Sequence, residues 1–114
     1  MSECIFCKIV NGEIPAKIVY KNEGYVAFED LRPEAPVHVL VIPKRHVDSV
    51  NELGEADKEL AGGLMLAAKQ VAQKLGIEKA YRLRVYVGRE AGQTVFHLHM
   101  HVLGGGVKPN GHSG

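Results

Sequence analysis

The sequence has little cysteine, no excess of either charge and no hydrophobic run of membrane-spanning length. Each absence closes off a class of function. Only Cys4 and Cys7 are present, too few for the disulfide framework of a small secreted domain. A bridge between residues three apart closes a tiny loop and adds little stability. The pair therefore reads as a metal half-site or as free thiols in a reducing compartment. Lysine plus arginine number 14 against 13 aspartate plus glutamate, so no bulk field draws the chain to nucleic acid or to a charged membrane. Any anionic ligand must be held by a local site. No apolar run approaches the roughly 20 residues needed to span a bilayer, and Met1-Ser2-Glu3-Cys4 lacks the basic-then-apolar pattern of a signal peptide. The expectation is a cytoplasmic protein with no nucleic-acid or membrane partner.

What is present is a globular balance. The chain has 114 residues, 46% hydrophobic and 24% charged, enough for one core but not two. There is no internal repeat. Residues 104–114 are glycine-rich, with Pro109 and Asn110, so the expected organisation is one domain over 1–106 and a C-terminal tail over 107–114. Residues 18–21 and 25–28 read as short strands, joined by a turn at Asn22-Glu23-Gly24. An apolar strand over 38–42 stops at Pro43. Residues 57–75 read as the one long helix. Leu60, Leu64, Ala67, Ala68, Val71 and Leu75 recur at helical spacing, acids come early and lysines late, and Gly76 is a natural stop. Gly62-Gly63 weakens this helix by about 1 kcal/mol per glycine, which close helix–helix approach would explain. Residues 81–87 and 95–103 read as the last two strands, with a short helical turn near 4–9. Hairpin-length links favour antiparallel pairing, and the class is α+β.

The most informative segment is Phe96-His97-Leu98-His99-Met100-His101-Val102-Leu103. Side chains alternate faces along a strand. His97, His99 and His101 then share one face, about 7 Å apart, while Phe96, Leu98, Met100 and Val102 pack under the helix. Three histidines at alternate positions with only apolar residues between them are poorly explained as structural. Two chemistries fit: a metal site built on His-x-His, or covalent catalysis by a histidine with neighbours as acid and phosphate ligands.

Residues 97–103 match His-φ-His-φ-His-φ-φ, with φ apolar, and this pattern resembles the histidine-triad (HIT) family. Ile5-Phe6-Cys7-Lys8-Ile9 and Gly12-Glu13-Ile14-Pro15-Ala16-Lys17 look like the family's opening. Asp30-Leu31-Arg32-Pro33-Glu34-Ala35-Pro36-Val37-His38 and Val41-Ile42-Pro43-Lys44-Arg45-His46 look like its middle, and Ala91-Gly92-Gln93-Thr94-Val95 like the loop before the triad. The branch resembled is that of the Hint-like nucleoside-phosphoramidate hydrolases. The resemblance implies a five-stranded antiparallel sheet with one long and one short helix, pairing into a ten-stranded sheet in a homodimer. It implies a purine nucleotide substrate and His99 as the nucleophile, forming a nucleotidyl-histidine that water resolves to a nucleoside monophosphate. His101 would lie at the phosphate and protonate the leaving group, and His38 would support it. Gly92, Gln93, Thr94 and Val95 would supply donors to the phosphate. Phe6, Ile9, Phe28, Glu29, Asp30 and Leu31 would form the nucleoside pocket, with Asp30 on the ribose hydroxyls.

One position departs from the pattern: Tyr86 stands where the family commonly has an asparagine on the phosphate or leaving-group side. Some bacterial-type members hold zinc on two cysteines, the histidine after Ile-Pro-Lys and the first triad histidine. Those positions are Cys4, Cys7, His46 and His97 here, which implies a closed structural zinc site and no metal requirement for catalysis. A metal-dependent hydrolase using the triad as ligands and a non-catalytic nucleotide-binding adaptor are the alternatives.

Overall fold

The computed structural model describes residues 3–106; the expected tail at 107–114 lies outside the described residues. In chain order the regular elements are α1 (Ile5–Val10), β1 (Ile18–Lys21), β2 (Tyr25–Glu29), β3 (Val37–Pro43), α2 (Lys58–Lys74), β4 (Tyr81–Arg84) and β5 (Met100–Gly104). The five strands form one antiparallel sheet in the order β1-β2-β3-β5-β4. β3, between β2 and β5, is almost wholly buried, as its apolar run requires. The turn between β1 and β2 forms because the Asn22 side-chain oxygen accepts from the Gly24 and Tyr25 amides, both at 2.9 Å, a local bond that asparagine favours.

The two faces of the sheet bury different partners. On one face Ala27, Val39, Val41, Met100 and Val102 pack against Leu64, Ala67, Ala68, Val71 and Ala72 of α2. The alanines allow close approach of helix and sheet, while each fully buried valine or leucine contributes roughly 1.5–3 kcal/mol. On the other face Val26, Phe28, Leu40 and Ile42 pack against Phe6 and Ile9 of α1. The histidine site lies on this second face.

Three expectations are corrected. The strand over 95–103 is shorter, because its ladder with β3 runs only from Met100. Residues 95–99 run instead beside the segment after β3, with the Leu98 amide donating to the Val47 carbonyl at 2.6 Å. The strand over 81–87 likewise ends at Arg84, where pairing with β5 stops. Phe96 does not pack under the helix; it is 37% exposed and faces the Arg89 guanidinium, 5.3 Å from its ring centroid. Gly63 has a reason within the chain: it faces a sheet tyrosine. The Tyr25 hydroxyl donates to the Leu60 carbonyl at 2.7 Å, and a Cβ at residue 63 would sit 2.8 Å from Tyr25 Cζ.

That contact yields a prediction against helix propensity. Alanine at Gly62 meets open space and should leave the protein equally or more stable, by up to about 1 kcal/mol. Gly63→Ala should destabilise by on the order of 1 kcal/mol or more, since overpacking outweighs the propensity gain. Urea midpoints of the two variants check this, and equal stabilisation by both would refute the role of Tyr25.

Candidate functional site

The arm that carries the histidines is set by a glycine-bounded loop. Gly88 and Gly92 have φ of +93° and +108°, a region that side chains disfavour, and a single 3₁₀ turn lies between them at Arg89–Ala91. Gln93 clamps the loop from inside. It is 1% exposed; its Oε1 accepts from the Gly88 amide at 2.9 Å and its Nε2 donates to the Asp48 and Val95 carbonyls at 2.8 and 3.1 Å. The expectation that its side chain serves the phosphate is therefore corrected: both of its N–H groups are already engaged. The Gly92 and Gln93 amides also bond within the loop, to the Arg89 and Gly88 carbonyls. Thr94 is exposed and Val95 half-buried.

Alternation already holds along 97–99, ahead of the ladder that starts at Met100. Leu98 and Met100 enter the helix-side core, while His97 and His99 meet the edge of Phe6, at ring-centroid distances of 5.9 and 5.2 Å. Hydrogen bonding then fixes which nitrogen of each ring holds the proton. His99 Nδ1 lies 2.7 Å from the His97 carbonyl. A carbonyl only accepts, so Nδ1 carries the proton and Nε2 presents a lone pair. Burial pushes the His99 pKa down, which keeps the ring neutral. His38 Nδ1 accepts from the Glu34 amide at 3.0 Å, so its Nε2–H donates to His101 Nδ1 at 2.9 Å. The neutral His101 ring then carries its own proton on Nε2. The sequence did not single out the Glu34 amide.

Asp30 approaches the same pair, with Oδ2 at 3.4 Å from His38 Nε2, while its Oδ1 accepts from the Arg32 amide at 2.7 Å. The ligand atoms of Asp30, His38 and His101 lie within 4.8 Å of one another. In this tautomer His38 Nε2 offers that group a proton where a cation would need a lone pair. Phe6, Ile9 and Phe28 are buried and form the floor beneath His99, with Phe6 edge-on to Phe28 at 5.3 Å. Leu31 is 97% exposed at the rim. Glu29 ends β2 on the face opposite Phe28 and pairs with Lys17 at 3.6 Å, and it lines one cavity together with Asp30, Val37, His38, Val39 and Leu75. Tyr86 lies against the triad, its ring centroid 5.1 Å from that of His101.

A second cluster sits behind the first. The ligand atoms of Cys4, Cys7, His46 and His97 all lie within 4.8 Å of one another, and no disulfide joins the cysteines. Cys4 Sγ is 3.3 Å and Cys7 Sγ 3.6 Å from His97 Nδ1, and Cys7 Sγ is 3.4 Å from His46 Nδ1. His97 Nε2 donates to the Pro43 carbonyl at 2.8 Å, and His46 Nε2 to the Asp48 carboxylate at 2.6 Å. Both Nδ1 lone pairs are thereby turned toward each other, 3.2 Å apart. Two acceptors face to face are unfavourable without a cation, and two thiolates with two imidazoles are the donor set that zinc takes tetrahedrally. The residues fit a closed metal site, to which Asp48 contributes from outside the ligand set.

The HIT domain pattern matches residues 11–107. The chain belongs to the HIT domain family. It is 50% identical over 103 residues to an uncharacterised HIT-like protein of Synechocystis, covering 90% of each chain. It is similar in structure to a HIT family hydrolase from Clostridium thermocellum, with a TM-score of 0.90, 48% identity and 95% of each chain covered. A histidine triad protein from Clostridium difficile has the same TM-score at 39% identity, with 96% of each chain covered. The HIT fold thus holds from α1 to β5, and no helix among the described residues is long and apolar enough to cross a membrane.

Within this HIT site His101 has the most displaced pKa. Burial pushes it down, and the neighbouring His99 and His38 add to that, bringing it to about 4 against the partial opposition of Asp30 and Glu34. In the free protein His101 is therefore a neutral hydrogen-bond donor near pH 7. Between about 6.5 and about 4 the unfolded chain binds a proton that the folded one refuses, so the stability present above 6.5 falls as pH drops through this window. The wild type should lose more Tm between pH 7 and pH 4.5 than His101→Gln. Equal losses would contradict the assignment.

Proposed function

We propose that the protein is a nucleotide hydrolase that cleaves nucleoside 5′-phosphoramidates and related adenylates through a covalent nucleotidyl-His99. The observation that carries this reading is the orientation of His99, with Nδ1–H held by the His97 carbonyl and Nε2 left as a neutral nucleophile. Its lone pair attacks the α-phosphorus, a P–N bond forms to the enzyme, and the bond to the amine breaks. The departing amine takes a proton. His101 Nε2–H is the nearest ring donor on that face, and the negative charge of a bound phosphate favours its protonated form, opposite to the effect of burial. Water then attacks phosphorus, His99 leaves, and a nucleoside monophosphate is released.

The rest of the site binds and orients. A nucleoside, purine by resemblance, rests over Phe6, Ile9 and Phe28 with Leu31 at the rim, and the Asp30 carboxylate accepts from the ribose hydroxyls. The main chain at Thr94 and Val95 donates to the phosphate, where charge develops in the transition state. Zinc on Cys4, Cys7, His46 and His97 supplies structural cross-linking and takes no step in catalysis. A homodimer is supported by the exposed Met65 and Leu66 on α2 and by Leu83 on β4. β4 lies at the sheet edge and is open to pairing with its copy into the ten-stranded sheet. Action in the cytoplasm is part of this reading.

The test is hydrolysis of adenosine 5′-phosphoramidate with and without prompt chelation. Wild type should turn over in both conditions, and His99→Ala should lose at least about 10³-fold in kcat while still binding AMP. Chelation should lower Tm before it lowers the rate. Immediate loss of turnover on chelation, restored by metal with the fold intact, would favour a metallohydrolase. Tight AMP binding without turnover would favour an adaptor.

A further inference from the structure

On the site face of the edge strand, Arg84 is not used by the reaction above. Its Nη1 donates to the Tyr86 hydroxyl oxygen at 3.2 Å and to Glu34 Oε1 at 3.1 Å. Tyr86 in turn spans the outer side of the triad. Its ring lies against His101, and a Cβ added to Gly92 would meet its Cδ2 at 3.4 Å. The pair therefore stands beyond His101, next to the loop that would hold the phosphate. A guanidinium only donates, so the Tyr86 oxygen is the acceptor in their bond and its hydroxyl proton is left to donate elsewhere. The Glu34 side chain is 58% exposed and that of Arg84 29% exposed. Both of these bonds use Nη1, so the other N–H groups of the Arg84 guanidinium are left to meet an added anion.

A planar guanidinium backed by a phenol hydroxyl is a donor set suited to a tetrahedral oxyanion. We propose that Arg84 and Tyr86 form an anion subsite for the leaving group, so that this protein favours adenylates that lose a phosphate-like oxyanion over those that lose a neutral amine. This rests on the reading of His99 as the nucleophile. The step balances without an added proton: the His99 Nε2 pair forms the N–P bond, the bond from phosphorus to the bridging oxygen breaks, and that oxygen keeps the electron pair and departs as an anion beside Arg84. An amine needs a proton at the same stage, which Arg84 cannot supply. Arg84 thus sets specificity where the departure at Tyr86 already alters the family pattern.

Two readouts separate this inference from the hydrolase reading. By calorimetry, wild type should bind α,β-methylene-ADP at least about 10-fold tighter than AMP; Arg84→Met should bring the two within about 3-fold, and Arg84→Lys should recover part of the gap. In turnover, Arg84→Met should lower kcat/KM for adenosine 5′-phosphosulfate by about 10-fold or more but that for adenosine 5′-phosphoramidate by less than about 3-fold. Equal binding of AMP and α,β-methylene-ADP by wild type would overturn the subsite. So would equal losses on both substrates in Arg84→Met, because that pattern marks a scaffold residue. A wild type that hydrolyses neither compound yet keeps an Arg84-dependent preference for α,β-methylene-ADP would overturn the hydrolase reading and leave the subsite standing.

Discussion

The bond from His99 Nδ1–H to the His97 carbonyl decides which nitrogen of the central histidine faces the site. Much of the molecule keeps that carbonyl still. His97 is wholly buried, its ring is tied to the Pro43 carbonyl, and the Leu98 amide is tied to Val47. The segment 95–99 therefore holds its alternation by contacts to the end of β3, without a regular ladder. Strand geometry here is maintained by side chains and single backbone bonds, which leaves the His99 Nε2 side open.

The same residue links two clusters that look separate along the chain. His97 offers Nδ1 to Cys4, Cys7 and His46 while its carbonyl orients His99. A cation held by those four side chains would pin α1 to the sheet, and with it Phe6, whose edge meets both His97 and His99. Asp48 serves both halves, with its carboxylate on His46 and its carbonyl on Gln93. Metal-site order and loop order are therefore mechanically connected, although the proposed zinc takes no part in the chemical steps. This is the logic by which outer partners fix ligand tautomers, extended here to a nucleophile.

Much of the fold was legible from local pattern. Period-2 alternation placed His97 and His99 opposite Leu98 and Met100, and the apolar spacing of α2 named the residues that meet the sheet. The family motifs brought His38 to His101 and gathered the four cysteine and histidine side chains. What local pattern could not show were bonds between distant segments. Gln93 looks like a phosphate donor until Gly88, Asp48 and Val95 are seen to occupy its amide. The contact of Gly63 with Tyr25 is likewise invisible in the helix pattern. Strand ends failed for the same reason, since a strand stops where its partner does. Arg84 was the readable omission: in the strand expected over 81–87 it shares a face with Tyr86 at i, i+2, which places a cation beside the one position that departs from the family pattern.

The central claim is that His99 bonds covalently to phosphorus. The most direct test is acid-free quenching of wild-type protein during turnover of adenosine 5′-phosphoramidate, followed by intact mass and peptide mapping. The account predicts an adenylyl adduct on the peptide carrying His99, absent from His99→Ala and from protein given AMP alone. Single turnovers that release AMP at full rate with no adduct at any time, or an adduct on another residue, would contradict it.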